Sequence, residues 1–208
     1  MKIDLLSITP NAEKLIESAG RTAYLSFKKQ EEGSEKEFIR MIVKSGHHSV
    51  LEHSFATFRI RGSSRALTHQ LVRHRLCSFT QQSQRYVDES NFNYVEPDPI
   101  KDNLKTHSLF TKFMKEAKKA YTELQRLGIK NEDARFVLPN AVESQIVVTA
   151  NFREWRHIIE LRGSSDVQWE IRRVAIEILK ILKNHVPTVF EDFEIDKKNS
   201  VIRKIKYE

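Results

Sequence analysis

Between Glu52 and Asp88 the chain carries six arginines (Arg59, Arg61, Arg65, Arg73, Arg75 and Arg85) and three histidines, but no acid and no lysine. An uncompensated guanidinium does not enter a core, because the desolvation of a lone charge is not repaid there. A fold containing this segment must aim these side chains at solvent, at carboxylates brought from elsewhere, or at an anionic ligand. The exclusive use of arginine narrows the choice. A surface that loosely holds a polyanion mixes in lysine, whereas the planar guanidinium fork suits fixed bidentate contacts to phosphate, carboxylate or a planar heterocycle. The segment reads as the wall of a pocket rather than as a patch.

At 208 residues, with 39% hydrophobic and 30% charged side chains, the chain has the make-up of a globular protein and not of a disordered one. A single domain over 1–208 is expected, with a charged tail from about 191 that is either loose or used between subunits. No apolar run approaches the roughly 18 residues of a membrane span. In MKIDLLSITP, Asp4 interrupts what a signal peptide needs unbroken, so a cytoplasmic location is expected. Cys77 is the only cysteine. It forms no internal disulfide and no zinc site by itself.

The periodicities alternate between strand and helix. KIDLLSI reads as a strand stopped by Pro10, and Asn11 to Ala19 as a helix ended by Gly20. Ser34 and Glu37 form a capping box for a helix that Gly46 closes. In SFATFRIRG, Ala56, Phe58 and Ile60 alternate with Thr57, Arg59 and Arg61, the period of a half-buried strand with two arginines on its polar face. Ser63 or Ser64 caps a helix running to about His74, so that RHR closes it at the end where the dipole favours cations. LCSFTQQSQR then reads as a loop. A helix from about Asp102 to Leu127 carries Phe110, Phe113, Met114, Ala117, Tyr121 and Leu124 at core spacing. Asn131 caps a short helix ending in ARFVLP, and SQIVVTAN is a buried strand. Asn151 with Glu154 opens a helix carrying Trp155, Ile158, Ile159 and Leu161 inward. Asp166 to Lys183 forms the last helix, with Trp169, Val174, Ile178 and Ile181 inward. RGSS occurs at Arg61 and again at Arg162, which reads as repeated capping chemistry rather than duplication.

Three kinds of chemistry compete on residue types alone. His47, His48, Glu52 and His53 are close in sequence, but their spacing does not put ligands one helical turn apart, so no metal is expected and the group reads as cofactor contacts or, failing that, as loop histidines without a chemical role. Cys77 or Ser83 could serve as a nucleophile, though Cys77 also reads as a small packing residue and no acid partner for Ser83 lies nearby. Nucleic-acid binding follows from the net charge of +7, yet Phe79 and Tyr86 are the only aromatics between Arg73 and Tyr86, a thin stacking platform. No glycine-rich phosphate loop is present, so phosphates would be held by arginines and helix ends.

RHRLCSFTQQSQR resembles the RHR, seven residues, Ser signature of the flavin-dependent thymidylate synthases, the thymidylate synthase complementing proteins. GHHSVLEHSFATFRI, THQLVRHR, ARFVLP, TANFREWRHIIELR and VQWEIRR are similar to further blocks of that family in the same order, covering most of the chain from Gly46 to Arg173. The resemblance implies an α+β fold with a central, mostly antiparallel sheet flanked by helices, assembled as a homotetramer with sites shared between subunits. It implies methylation of dUMP at C5 with methylenetetrahydrofolate as carbon donor, FAD as hydride carrier and NADPH as reductant, and neither a nucleic-acid nor a membrane partner. By position, Ser49, His53, Arg73, His74, Arg75, Gln81, Asn151, Arg153 and His157 would contact FAD or lie beside it. Gln70, Arg73, Gln81, Ser83, Gln84, Arg85 and Arg135 would hold dUMP, and Arg162 would act on its uracil ring. The chain departs from the family pattern at Thr80 and Gln81, where Asn-Glu is common, so an amide replaces a carboxylate there. It departs again at His157, where some members have asparagine.

Overall fold

The computed structural model describes residues 1–205. In chain order the elements are β1 (Lys2–Ile8), α1 (Ala12–Thr22), α2 (Ser34–Lys44), β2 (Phe55–Ser64), α3 (Arg65–Leu71), β3 (Ser78–Gln81), α4 (Asp98–Lys101), α5 (Leu104–Arg126), α6 (Asn131–Ala134), β4 (Glu143–Asn151), α7 (Phe152–Arg162), α8 (Trp169–His185), α9 (Pro187–Phe190), β5 (Phe193–Asp196) and β6 (Val201–Lys204). A 3-10 turn spans His48–His53. The larger sheet has the order β1-β2-β4-β3 and is mostly antiparallel, as expected for the α+β class, while β5 and β6 pair antiparallel by themselves. Among the described residues no helix is long and apolar enough to cross a membrane.

The chain divides into two compact units. One comprises Met1–Lys2, Ile60–Leu71 and Thr80–Val147; the other comprises Ile3–Arg59, Val72–Phe79 and the chain from Val148 on. The core of the first is the inner stripe of α5, where Met114 and Ala117 pack on Phe92 and Val142, with Phe110 and Tyr94 edge to face at 5.6 Å. Asn103 starts this helix by accepting from the amides of Lys105 and Thr106. Phe113, expected in the same stripe, is 52% exposed, one position off the buried arc.

The second unit is built around α7. Trp155 is fully buried, packs edge-on against Phe58 of β2 at 5.1 Å and donates from Nε1 to the Ala56 carbonyl at 3.0 Å. A buried indole N–H needs such a partner. Phe152 meets Phe190 of α9, and α8 buries Ile171, Val174, Ile178, Leu179 and Leu182. Trp169 and Ile181 are only half-buried, and Leu161 at the end of α7 is exposed.

Several boundaries differ from the sequence reading for local reasons. Gly20 does not end α1 but lies inside it, because a Cβ there would stand 2.3 Å from the ring of Phe38. Gly33, not Ser34, caps α2. The Ser34 hydroxyl donates instead to Oε1 of Glu17 at 2.7 Å, where Arg21 also binds. A buried carboxylate needs donors more than a helix end that water can reach. β2 continues through Gly62 to Ser64, whose Oγ accepts from the Leu67 amide and so caps α3. α3 stops at Leu71, leaving Arg73 to Arg75 outside the helix and its dipole. SFTQ is the strand β3 rather than loop. Asn131 opens α6 without capping it, its side chain accepting from Gln125. The tail forms the β5–β6 hairpin; Lys206 to Glu208 lie outside the described residues.

Candidate active site

A cleft of 980 Å³ lies in the second unit, where α7 starts. Asn151 ends β4 and caps α7, its Oδ1 accepting from the Glu154 amide at 2.8 Å. The helical period then divides α7. Phe152, Trp155, Ile158 and Ile159 face the core, while Arg153, Glu154, His157 and Glu160 line the cleft. Arg73, His74, Arg75 and Leu76 enter from the turn after α3, His48 and Glu52 from the 3-10 turn, and Lys204 from β6.

The charges in this cleft are not equivalent. Arg153 is paired with Glu52 at 2.6 Å and Lys204 with Glu160 at 2.9 Å, both pairs largely exposed. Arg156 is buried against Asp192. Arg73 and Arg75 have no carboxylate partner among the described residues. The two exposed guanidiniums of RHR are therefore the cations the cleft offers to an anion. His48 is held neutral further down the pH scale than usual by burial and then by the Arg156 charge.

His74, between those two arginines, points the other way and is buried. Its Nε2 accepts from Arg162 Nε at 2.9 Å, its Nδ1 stands 3.5 Å from a carboxylate oxygen of Glu154, and its ring lies edge-on to His157 at 5.9 Å. Burial, then the charges of Arg162 and His157, push its pKa down to about 4, so the ring is neutral at pH 7. Burial raises the pKa of Glu154. His74, Glu154 and His157 bring donor atoms within 4.8 Å of one another, a spacing that a divalent cation could bridge. Arg162 already occupies His74 Nε2 and adds a fixed positive charge, so the group is better described as an Arg162–His74 hydrogen bond flanked by Glu154 and His157 than as a metal centre.

Of the residues that the sequence suggests for FAD, Arg73, His74, Arg75, Asn151, Arg153 and His157 come together on this cleft. Ser49 and His53 share the 3-10 turn with His48 and Glu52 but do not line it. Gln81 and the residues suggested for dUMP alone fall in the first unit. There Gln81 donates to Thr68 Oγ1 at 2.9 Å and to Ser144 Oγ at 3.2 Å. Ser83 Oγ accepts from the Arg85 amide, and Gln84 is buried. Arg85 binds the carboxylate of Glu132 while Arg135 donates to the carbonyl of the same residue. Gln70 lies on α3, half-buried. A cavity of 290 Å³ in that unit, lined by Arg61, Gln82, Glu89 and Glu143 among others, includes none of them.

Sequence reasoning missed Glu154, Arg156, Glu160 and Lys204 as cleft residues, whereas His48 and Glu52 stand among the residues it offered as cofactor contacts. Glu154 and His157 carried a usable signal, since they are one turn apart on the helix that Asn151 caps. Lys204 carried none.

The cysteine is half-buried, and burial followed by the Glu154 charge pushes its thiol up to about 12. Cys77 is thus a protonated packing residue at neutral pH and a poor nucleophile.

The family model "Thymidylate synthase complementing protein" matches residues 4–188. The chain is 44% identical over 200 residues to the flavin-dependent thymidylate synthase of Geobacter sulfurreducens, covering 92% of this chain and 86% of that protein. It is 43% identical over 211 residues to the one of Nitratidesulfovibrio vulgaris, covering 91% and 85%. Among solved structures it is similar to thymidylate synthase X of Helicobacter pylori, crystallised with FAD and dUMP, with a TM-score of 0.78, 25% identity and coverage of 92% of this chain and 98% of that one.

Proposed function

The chain belongs to the thymidylate synthase complementing protein family, and from that premise we propose that it is a flavin-dependent thymidylate synthase, converting dUMP to dTMP. The observation that carries the reading is the cleft in which Arg73 and Arg75, cations without a carboxylate partner among the described residues, stand beside Asn151 and Arg153. That donor set fits FAD, whose pyrophosphate needs bidentate cations and whose ring and ribose need amide and imidazole hydrogen bonds. When bound, FAD supplies hydride transfer, with NADPH as reductant and methylenetetrahydrofolate as the source of the methylene carbon.

In this reading Arg73, Arg75 and Arg153 neutralise the cofactor phosphates, Asn151 and His157 orient it, and His74, whose ring nitrogens face Arg162 and Glu154, lies beside it. Ser49, His53 and Gln81 complete its surroundings. Gln70, Ser83, Gln84, Arg85 and Arg135 bind the nucleotide, to which Arg73 and Gln81 also contribute, and Arg162 acts on the uracil. Gln81 contributes a neutral amide where relatives commonly bring a carboxylate. The enzyme is read as a cytoplasmic homotetramer with sites assembled from several subunits. Leu104, Leu109 and Phe113, exposed on α5, are the kind of surface that a neighbouring copy covers.

Protein loaded with FAD should show a flavin band in the visible spectrum and should form dTMP from dUMP only when FAD, methylenetetrahydrofolate and reductant are all present. Methylation that proceeds without flavin, or a loaded protein with no activity towards dUMP, would sink the reading. Cys77→Ser should retain methylation at close to the parental rate, as expected for a thiol held protonated. A serine variant that binds FAD and dUMP normally and yet is inactive would restore Cys77 as a nucleophile.

A further inference from the structure

Glu154 has no part in the roles above, yet it is the buried carboxylate of the cleft, 6% exposed, whereas Glu52 and Glu160 lie open to solvent. It faces Nδ1 of His74 at 3.5 Å while Arg162 Nε donates to Nε2 of the same ring at 2.9 Å. The guanidinium Nε–H can only donate. His74 Nε2 must therefore carry the lone pair, and the one proton of the neutral ring must sit on Nδ1, the nitrogen 3.5 Å from a carboxylate oxygen of Glu154. This is the opposite of the tautomer that free neutral histidine favours in water, so it needs a local cause. We infer that Glu154 is a positioning residue: its carboxylate holds His74 as the Nδ1–H tautomer, which leaves Nε2 bare to accept from Arg162 and so sets the plane of that guanidinium.

The inference rests on the reading of Arg162 as the group that acts on the uracil. The logic is that of a carboxylate fixing an imidazole tautomer so that the far nitrogen does its work. With Glu154 replaced, the ring is free to move its proton to Nε2, where two N–H groups would oppose each other across the 2.9 Å contact and Arg162 would swing away.

The test begins without flavin. In flavin-free protein labelled with ¹⁵N in its histidine rings, nuclear magnetic resonance at neutral pH should report Nδ1–H for His74, and Glu154→Leu should shift it towards Nε2–H. In FAD-loaded protein the same variant should lose about 10- to 100-fold in the methylation kcat, the range seen when an outer-layer partner of a functional group is removed. The KM for dUMP and the rate of flavin reduction by NADPH should change little. Should the leucine variant fail to fold, Glu154→Met fills a similar volume without offering Nδ1–H an oxygen acceptor and should shift the tautomer in the same direction. An Nε2–H ring in the parent protein, or a tautomer that neither variant moves, overturns the inference. So does a shifted tautomer with an undiminished kcat in a protein whose Arg162→Lys variant is impaired. Full methylation by Arg162→Lys would instead overturn the assignment of Arg162, and with it the catalytic consequence of Glu154.

Discussion

Arg162→Lys should methylate dUMP about 10² to 10³ times more slowly than the parent enzyme at saturating nucleotide with FAD bound, the usual scale for removing one preorganised electrostatic donor. Uracil C5 is a poor nucleophile, and Cys77, half-buried with its thiol pushed up to about 12, is poorly suited to activate the ring by adding to it. In the proposed reading the ring is activated by polarisation instead. A guanidinium at N3 and O4 stabilises the N3-deprotonated form and raises electron density towards C5. Lysine keeps the charge but loses the planar fork and the Nε–H that His74 now accepts. Flavin reduction by NADPH should be largely spared, because that half of the reaction does not involve the uracil. Arg162 ends α7, where a cation also satisfies the helix dipole. If that were its whole role, the lysine variant would serve equally well, and near-parental methylation would show it.

The elements legible in the sequence were those whose signals are local. Asn151 was readable as the cap of α7 because an Asn followed three residues later by Glu, ahead of an apolar stripe, states the helix start by itself. The alternation in β2 and the inner stripe of α5 were readable for the same reason. Missed features depended on what the chain meets after folding. Nothing around Gly20 says that Phe38 will press on it and keep it inside a helix. Ser34 looked like a cap until the buried Glu17 claimed its hydroxyl. SFTQ has too few residues for a period to emerge, so β3 read as loop.

The site divides along the same line. The acid-free arginine run was visible at once, and two of its members, Arg73 and Arg75, do stand in the cleft without a carboxylate partner among the described residues. The sequence did not distinguish them from His74, which lies between them but turns inward to Arg162 and Glu154. That difference arises because α3 stops at Leu71, short of the expected end, and the following turn sends neighbouring side chains in opposite directions. The charged tail concealed a hairpin for a comparable reason. Its pairing matters through Gly163, which follows Arg162 and whose carbonyl accepts from the Ile202 amide at 2.8 Å, so closely that a Cβ would meet Ile202 at 2.5 Å. The position of Arg162 is thus tied to residues 40 places on, a relation that no local pattern encodes.

Asp192→Ala should destabilise the protein by about 3 to 5 kcal/mol, the cost of leaving one partner of a buried ion pair uncompensated. Asp192 accepts from both terminal nitrogens of the Arg156 guanidinium, at 2.7 and 2.6 Å, with the two side chains 1% and 4% exposed. Arg156 also donates to the Val189 carbonyl and lies over the ring of Phe193 at 4.8 Å. Its Nε is buried without a hydrogen-bond partner, so little else is at hand to take up the charge once the carboxylate is gone. The pair fastens α7 to the chain after α9, beside the face that carries Arg153 and His157, and its loss should loosen FAD as well as lower the unfolding midpoint. Glu177→Ala provides the contrast. Its pair with Lys180 is about half exposed, 42% and 49%, and screened by solvent, so denaturant unfolding should change little. The double variant Arg156→Met/Asp192→Leu should recover much of the lost stability, since it removes the stranded charge, but it should not recover tight FAD binding if Arg156 helps to shape the cleft. Equal unfolding midpoints for Asp192→Ala and Glu177→Ala would show that water reaches Arg156 and that the pair is no anchor for α7.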